Sequence, residues 1–153
     1  MADRHEPPID HSVWIKAEPP DVFDYFTDPK KLVQWMGDQA ELDAAPDGVY
    51  RVVFKEGWVS RGRFVVVDRP NRLVYTVGWE GHPQFPPGST RVELTFAPER
   101  GGTRLRLKHF GPPSTGLESE GWASYLKRLA AVAAGDVAPG DPFDRLARGE
   151  LPE

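Results

Sequence analysis

Leu117-Glu118-Ser119-Glu120-Gly121-Trp122-Ala123-Ser124-Tyr125-Leu126-Lys127-Arg128-Leu129-Ala130-Ala131-Val132-Ala133-Ala134 is the stretch in which the apolar period turns helical. Trp122, Tyr125, Leu126, Leu129 and Ala133 share one face, and Lys127 and Arg128 point away from it. Gly135 ends the segment. A stripe this apolar needs a surface to cover, and the residues upstream supply one.

Immediately before it, Thr90–Phe96 and Thr103–His109 alternate with period two. Val92, Leu94 and Phe96 alternate with Arg91, Glu93 and Thr95. Leu105, Leu107 and His109 alternate with Arg104, Arg106 and Lys108. Glu99-Arg100-Gly101-Gly102 joins the two runs as a hairpin, with glycine available for the positive φ of a tight turn. One face of this sheet is wet and the other packs. Further upstream, Val49–Phe54, Trp58–Asp68 and Arg72–Trp79 read as strands. Between them stand the turns Ala45-Pro46-Asp47-Gly48, Lys55-Glu56-Gly57 and Arg69-Pro70-Asn71. Phe64-Val65-Val66-Val67 is apolar at every position, so its facing is open. Val65, Val67 and Val74 on an outer face would form an apolar patch suited to a dimer contact.

The chain opens with a polar lead-in, residues 1–8. An alternating strand follows, with His11, Val13, Ile15 and Ala17 on one side and Asp10, Ser12, Trp14 and Lys16 on the other. Pro19-Pro20 begins a short helix carrying Val22, Phe23 and Phe26, with Asp21 in its first turn. Asp28-Pro29 caps a second short helix whose stripe is Leu32, Val33, Trp35 and Met36, stopped by Gly37. The order predicts an α+β fold. A curved antiparallel sheet of six to seven strands wraps a long C-terminal helix, with two short helices after the first strand. Residues 9–135 form that domain, and residues 136–153, with Phe143 and Leu146, form a tail. A saddle-shaped sheet and a cylindrical helix leave a gap between them.

Five Trp and eight Phe beside sixteen Pro and fifteen Gly suit such a turn-rich fold with an aromatic interior. The net charge of −4 offers no basic stripe for nucleic acid. The absence of cysteine excludes disulfides, thiolate metal sites and a cysteine nucleophile. The N-terminal residues lack an apolar signal core, and no run reaches membrane-spanning length, so the expected location is the cytoplasm, with no membrane partner. No nucleophile elbow, P-loop, dinucleotide fingerprint or paired-His helix motif is present.

Several local signatures resemble the START-like superfamily, also called SRPBCC or Bet v 1-like, within the branch named after activators of the Hsp90 ATPase. They are Ile15-Lys16-Ala17-Glu18-Pro19-Pro20-Asp21-Val22-Phe23, Leu32-Val33-Gln34-Trp35 and Gly62-Arg63-Phe64. Arg69-Pro70-Asn71-Arg72-Leu73-Val74-Tyr75, Gly101-Gly102-Thr103-Arg104-Leu105, His109-Phe110-Gly111 and Gly121-Trp122 complete the set. The resemblance runs from residue 9 to residue 134. It implies a helix-grip fold with a deep hydrophobic cavity between sheet and long helix. Superfamily members bind lipids, hormones or polyketides, and some act as cyclases or aromatases.

The inward faces nominate Trp35, Phe54, Phe64, Tyr75, Trp79, Phe96, His109, Trp122, Tyr125 and Leu129 as pocket residues. Each is also a natural core filler. His109 sits inward at the end of the last strand, where a neutral imidazole serves a ligand, a proton transfer or simply the fold. The last is favoured because no partner group is identifiable. His11 faces the same interior, but two histidines without a third ligand do not make a metal site. Tyr75 and Tyr125 offer phenolic hydroxyls. Glu80, His82 and Gln84 lie on a Pro-rich loop placed to act as a lid. The expectation is binding of a small hydrophobic ligand, with no cofactor, no metal and no assigned catalytic residue, and a second copy of the chain as a candidate partner. The alternatives are a cyclase or dehydratase acting on a polyketide-like substrate and an Hsp90-associated or other protein-interaction module.

Overall fold

In a computed structural model, which describes residues 7–114 and 116–140, seven antiparallel strands form one curved sheet. Ile9–Ile15 is β1, and it is followed by the helices α1, Pro19–Thr27, and α2, Pro29–Leu32. The strands β2, Gln39–Leu42, β3, Val49–Val53, β4, Val59–Asp68, β5, Arg72–Val77, β6, Thr90–Glu99, and β7, Gly102–Phe110, come next. The long helix α3 spans Leu117–Ala133. The strand order is β1-β7-β6-β5-β4-β3-β2, so the chain runs across the sheet by hairpins and only β1 is placed by a long crossover. The tail residues Phe143 and Leu146 and the lead-in residues 1–6 lie outside the described residues.

Local chemistry accounts for the helix starts. Pro19 stands at the first position of α1, where its missing N–H costs nothing. The Asp28 carboxylate accepts from the Lys30 backbone N–H at 3.0 Å and so caps α2. The helical stripe expected through Met36 is shorter in fact. The chain leaves α2 by turns and reverses at Gly37, with φ +79°, where a Cβ would stand 2.5 Å from Val52 Cγ1.

These two helices close one half of the sheet. Phe23 and Phe26 reach the ring of Phe96, at 5.2 and 5.8 Å between centroids, and Phe26 meets Trp35 edge-on at 5.0 Å. The Trp35 indole N–H donates to the Tyr25 carbonyl at 2.9 Å, so its polar end is satisfied inside the core. The outer face of the sheet is polar. Arg106 forks onto Asp10 at 2.8 and 3.1 Å, and Arg104 onto Glu99 at 2.7 and 3.1 Å.

Two features differ from expectation. The edge strand β2 pairs with β3 although its sequence, Gln39-Ala40-Glu41-Leu42, is short and half polar. On β4, Phe64 pairs with Tyr75 but Val66 with Val74, which leaves Val65 as a bulge. The extra residue reverses the alternation: Val66 joins the outer face and Val67 turns in, opposite Leu73, to pack on the core. Val65 is exposed, but Val74 is covered to 2% exposure. The expected outer patch of Val65, Val67 and Val74 is therefore absent.

The Phe23–Phe26–Phe96–Trp35 cluster is the packed end of the molecule. Truncating Phe96 to Ala is expected to cost about 3–5 kcal/mol, read as a lowered urea midpoint with an unchanged slope.

Candidate functional site

The other half of the sheet is not filled. The backbone of α3 approaches the sheet most closely along the edge strand β1, and a hollow of about 510 Å³ lies under its first turns. That volume is in the range of small-molecule sites. Tyr50 on β3, Ser60 on β4, Tyr75 and Val77 on β5, Thr90 on β6 and His109 on β7 make the sheet side. Glu118, Gly121, Trp122 and Tyr125 make the helix side, and Phe54, Trp58, Trp79, His82 and Phe85 complete the wall. Among the described residues, no lysine or arginine lines it. A shallower depression of about 430 Å³ at the far hairpin, between Glu18-Pro19 and Pro98–Gly102, has no aromatic wall and no titratable group held in a buried position.

His109 is the polar centre of the hollow. It is 4% exposed, and both ring nitrogens are engaged. The Trp122 indole N–H lies 3.0 Å from Nδ1. An indole nitrogen only donates, so Nδ1 is an acceptor and the proton sits on Nε2. Nε2–H then donates to Thr90 Oγ1 at 2.8 Å, and the Thr90 hydroxyl passes its own proton to the Val77 carbonyl at 2.7 Å. One chain of hydrogen bonds thus fixes the tautomer and ties α3 to β7, β6 and β5. Burial lowers the His109 pKa to about 4, so the ring is neutral at pH 7. Neither partner titrates near neutrality, and the group that proton transfer would need is not among them.

The mouth is held by a second bond. Glu118, in the first turn of α3, accepts from the Trp79 indole N–H at 3.0 Å, and burial raises its carboxyl pKa. The loop that follows Trp79 is folded on itself. His82 Nδ1 accepts from the backbone N–H groups of Gln84 and Phe85, at 3.1 and 2.9 Å, and the Trp79 N–H donates to the Phe85 carbonyl at 2.7 Å. This turns Phe85 and His82 toward the hollow. Glu80 points elsewhere, to Arg61 at 2.9 Å, and Gln84 is exposed.

Of the ten residues expected at the pocket, Phe54, Tyr75, Trp79, His109, Trp122 and Tyr125 come together around it. Trp35, Phe64, Phe96 and Leu129 do not. Trp35 and Phe96 belong to the cluster under α1, Phe64 packs edge-on against Tyr50 and Tyr75, and Leu129 lies further along α3 in the packed core. His11 also lies apart from the hollow, with Nε2 at 3.1 Å from the Ser119 carbonyl and 3.2 Å from its hydroxyl, where it fastens β1 to α3. Tyr50 went unnoticed, although the alternation of Tyr50 and Val52 places it inward. Ser60 and Thr90 were hidden by being small and polar. Among the described residues, no three His, Asp or Glu side chains gather as a metal ion would require, and no helix is long and apolar enough to cross a membrane.

The fold recurs in known proteins. The model of the family described as "Activator of Hsp90 ATPase homolog 1-like protein" matches residues 16–134, more than half of the chain. An AHSA1-like protein from Rhizobium etli is 40% identical over 93% of this chain and 92% of its own, with a TM-score of 0.68. A protein from Chromobacterium violaceum is 26% identical over 88% and 99%, with a TM-score of 0.70. The Aha1 protein of Colwellia psychrerythraea, solved as a dimer, is 15% identical over 82% and 95%, with a TM-score of 0.71, a likeness of fold alone. No curated protein matches the chain.

The neutral His109 has a measurable consequence. The unfolded imidazole binds a proton near pH 6.5 and the folded one only near pH 4. Between these values the unfolded state holds more protons, so stability falls as the pH drops through the window, by up to about 3 kcal/mol. Urea titrations from pH 7.5 to 4 are expected to show this loss. His109→Gln is expected to be less stable at neutral pH and to lack that part of the slope.

Proposed function

The chain belongs to the Activator of Hsp90 ATPase homolog 1-like protein family, and from that premise and the form of its interior we propose that it is a carrier for a small, largely apolar molecule held between the sheet and α3. The observation that carries this reading is the hollow itself. A chain with this many aromatic side chains has enough bulk to fill its interior, and it does so under α1 and α2. Under α3 the rings stand around a space of about 510 Å³ instead of closing it. Protein interiors are close-packed, and a void of this size gives up contacts on every wall. A ligand restores them.

The enzyme reading has weaker support. His109 already spends both nitrogens on Trp122 and Thr90, so a substrate would have to displace one of these bonds before the ring acted on it. The family description names an Hsp90 activator, and a protein-interaction role needs a surface rather than a hollow. The outer patch of Val65, Val67 and Val74 expected as a dimer contact does not form as a set, because Val67 turns inward.

Gly121 provides the test. It lies in α3 facing the hollow, and a Cβ built there meets nothing within 4 Å. Gly121→Phe projects a ring into the space without touching the packed core. Replacing a helical glycine by Phe also gains roughly 0.5 kcal/mol of helix propensity. The variant is expected to melt at or above the wild-type temperature. It is also expected to lose the molecule that native mass spectrometry or solvent extraction recovers from wild-type protein, and at least tenfold in affinity for added hydrophobic probes. Unchanged probe binding by a folded Gly121→Phe protein would exclude the hollow as the binding site.

A further inference from the structure

Two hydroxyls on the sheet side of the hollow stand close together, and one of them has no hydrogen-bond partner. Tyr50 and Tyr75 stand on β3 and β5, with β4 between them. The residue of β4 opposite Tyr50 is Gly62, so no side chain separates the rings. They stack at 4.3 Å between centroids and 13° between planes, with Phe64 edge-on to both at 5.7 and 6.0 Å. Both residues line the hollow and both are at most 2% exposed. Tyr75 Oη has no hydrogen-bond partner. Among the described residues, the polar group felt by each hydroxyl is the other one. A buried hydroxyl without a partner is destabilising, and native structures keep few of them. Removing both would take only two oxygen atoms, with Phe in place of Tyr, and the stack would be unchanged. Their presence at the wall of an open space points to something that enters it.

We infer that the ligand is an uncharged molecule that brings a hydrogen-bond acceptor, such as a carbonyl or ether oxygen, to the hydroxyls of Tyr50 and Tyr75. This rests on the carrier reading above and adds the chemistry of recognition to it. Burial keeps both phenols protonated, so they offer donors. An acidic ligand does not fit. Among the described residues the lining holds no lysine or arginine, and the His109 ring is neutral with both nitrogens taken. A bare hydrocarbon fits the walls but leaves the Tyr75 hydroxyl unpaired. A small movement of the Tyr75 ring is part of the binding step, because its hydroxyl is covered in the empty protein.

The test uses matched probes: 9-fluorenone, fluorene and fluorene-9-carboxylate as a rigid set, and 2-undecanone, undecane and decanoate as a linear one. Affinities are measured by tryptophan quenching or calorimetry for wild type, Tyr50→Phe, Tyr75→Phe and the double variant. In at least one set the wild type is expected to prefer the ketone to the hydrocarbon by about tenfold, the size of one net hydrogen bond, and to bind the acid most weakly. The double variant is expected to keep its hydrocarbon affinity, to lose the preference for the ketone, and to melt no lower than wild type. A ketone preference that survives in the double variant, or an acid bound as tightly as the ketone, overturns this inference and leaves the carrier reading standing. Failure of the wild type to bind any of the six probes overturns both. Should the double variant melt well below wild type, the hydroxyls are structural and the inference also fails.

Discussion

The hydrogen bond from the Trp122 indole to His109 is the strut on which the interior depends. The helix α3 rests along an edge strand and needs something to hold its first half away from the middle of the sheet. A large indole standing on a buried imidazole does this, and the imidazole is fixed in turn by Thr90 and the Val77 carbonyl. Each link removes a polar group that would otherwise be unpaired inside an apolar space, so the arrangement is self-consistent only as a whole. Protonate His109 and the Trp122 link is lost, because an imidazolium has no acceptor.

The two halves of the sheet show how the same residue types serve opposite ends. Under α1 and α2, Phe23, Phe26, Phe96 and Trp35 contact one another and the space is full. Under α3, Phe54, Trp79 and Trp122 are fixed by ring contacts or by indole N–H bonds to Glu118 and His109, and all three line the hollow. An aromatic ring pinned at one edge is a rigid wall, because it has few torsions left to collapse inward. The packed half supplies stability and the braced half keeps its shape. Arg128 joins the halves, donating from Nε to the Trp35 carbonyl at 2.9 Å and from the guanidinium to the Pro139 carbonyl.

Much of this was legible in the residues alone. The alternation of β6 and β7, the Pro starts of both short helices and the 3.6-residue stripe of α3 each follow from local geometry, and together they specify the fold. Facing was legible wherever a strand alternates apolar with polar. It failed on β4, where four apolar residues in a row carry no facing signal and a bulge at Val65 shifts the register. The edge strand β2 escaped because half its residues face water and its pairing is decided by β3. The pocket was legible to the level of a face and no further. Whether an inward ring fills or frames a space depends on what stands opposite it. Trp35 and Phe96 meet α1 and are consumed, while Trp79 and Trp122 meet each other's neighbourhood across a gap. Leu129 and Trp122 share a helix stripe, but only Trp122 lines the hollow.

The saturation of His109 also bears on what the hollow can do with a guest. An acid or base that acts on a substrate must present an unoccupied nitrogen or a proton it can spare. Here Nδ1 is filled and the Nε2 proton is committed, and the cost of displacing either partner falls on a group already desolvated. Tyr75 is the reverse case, a buried hydroxyl without a hydrogen-bond partner on a ring stacked against Tyr50. A site whose strongest acid–base group is locked and whose other donors are weak and neutral suits the uncharged ligand proposed above. On that proposal, a guest that matches the hydroxyls gains a bond, and a guest that brings a negative charge meets no lysine or arginine among the described lining residues.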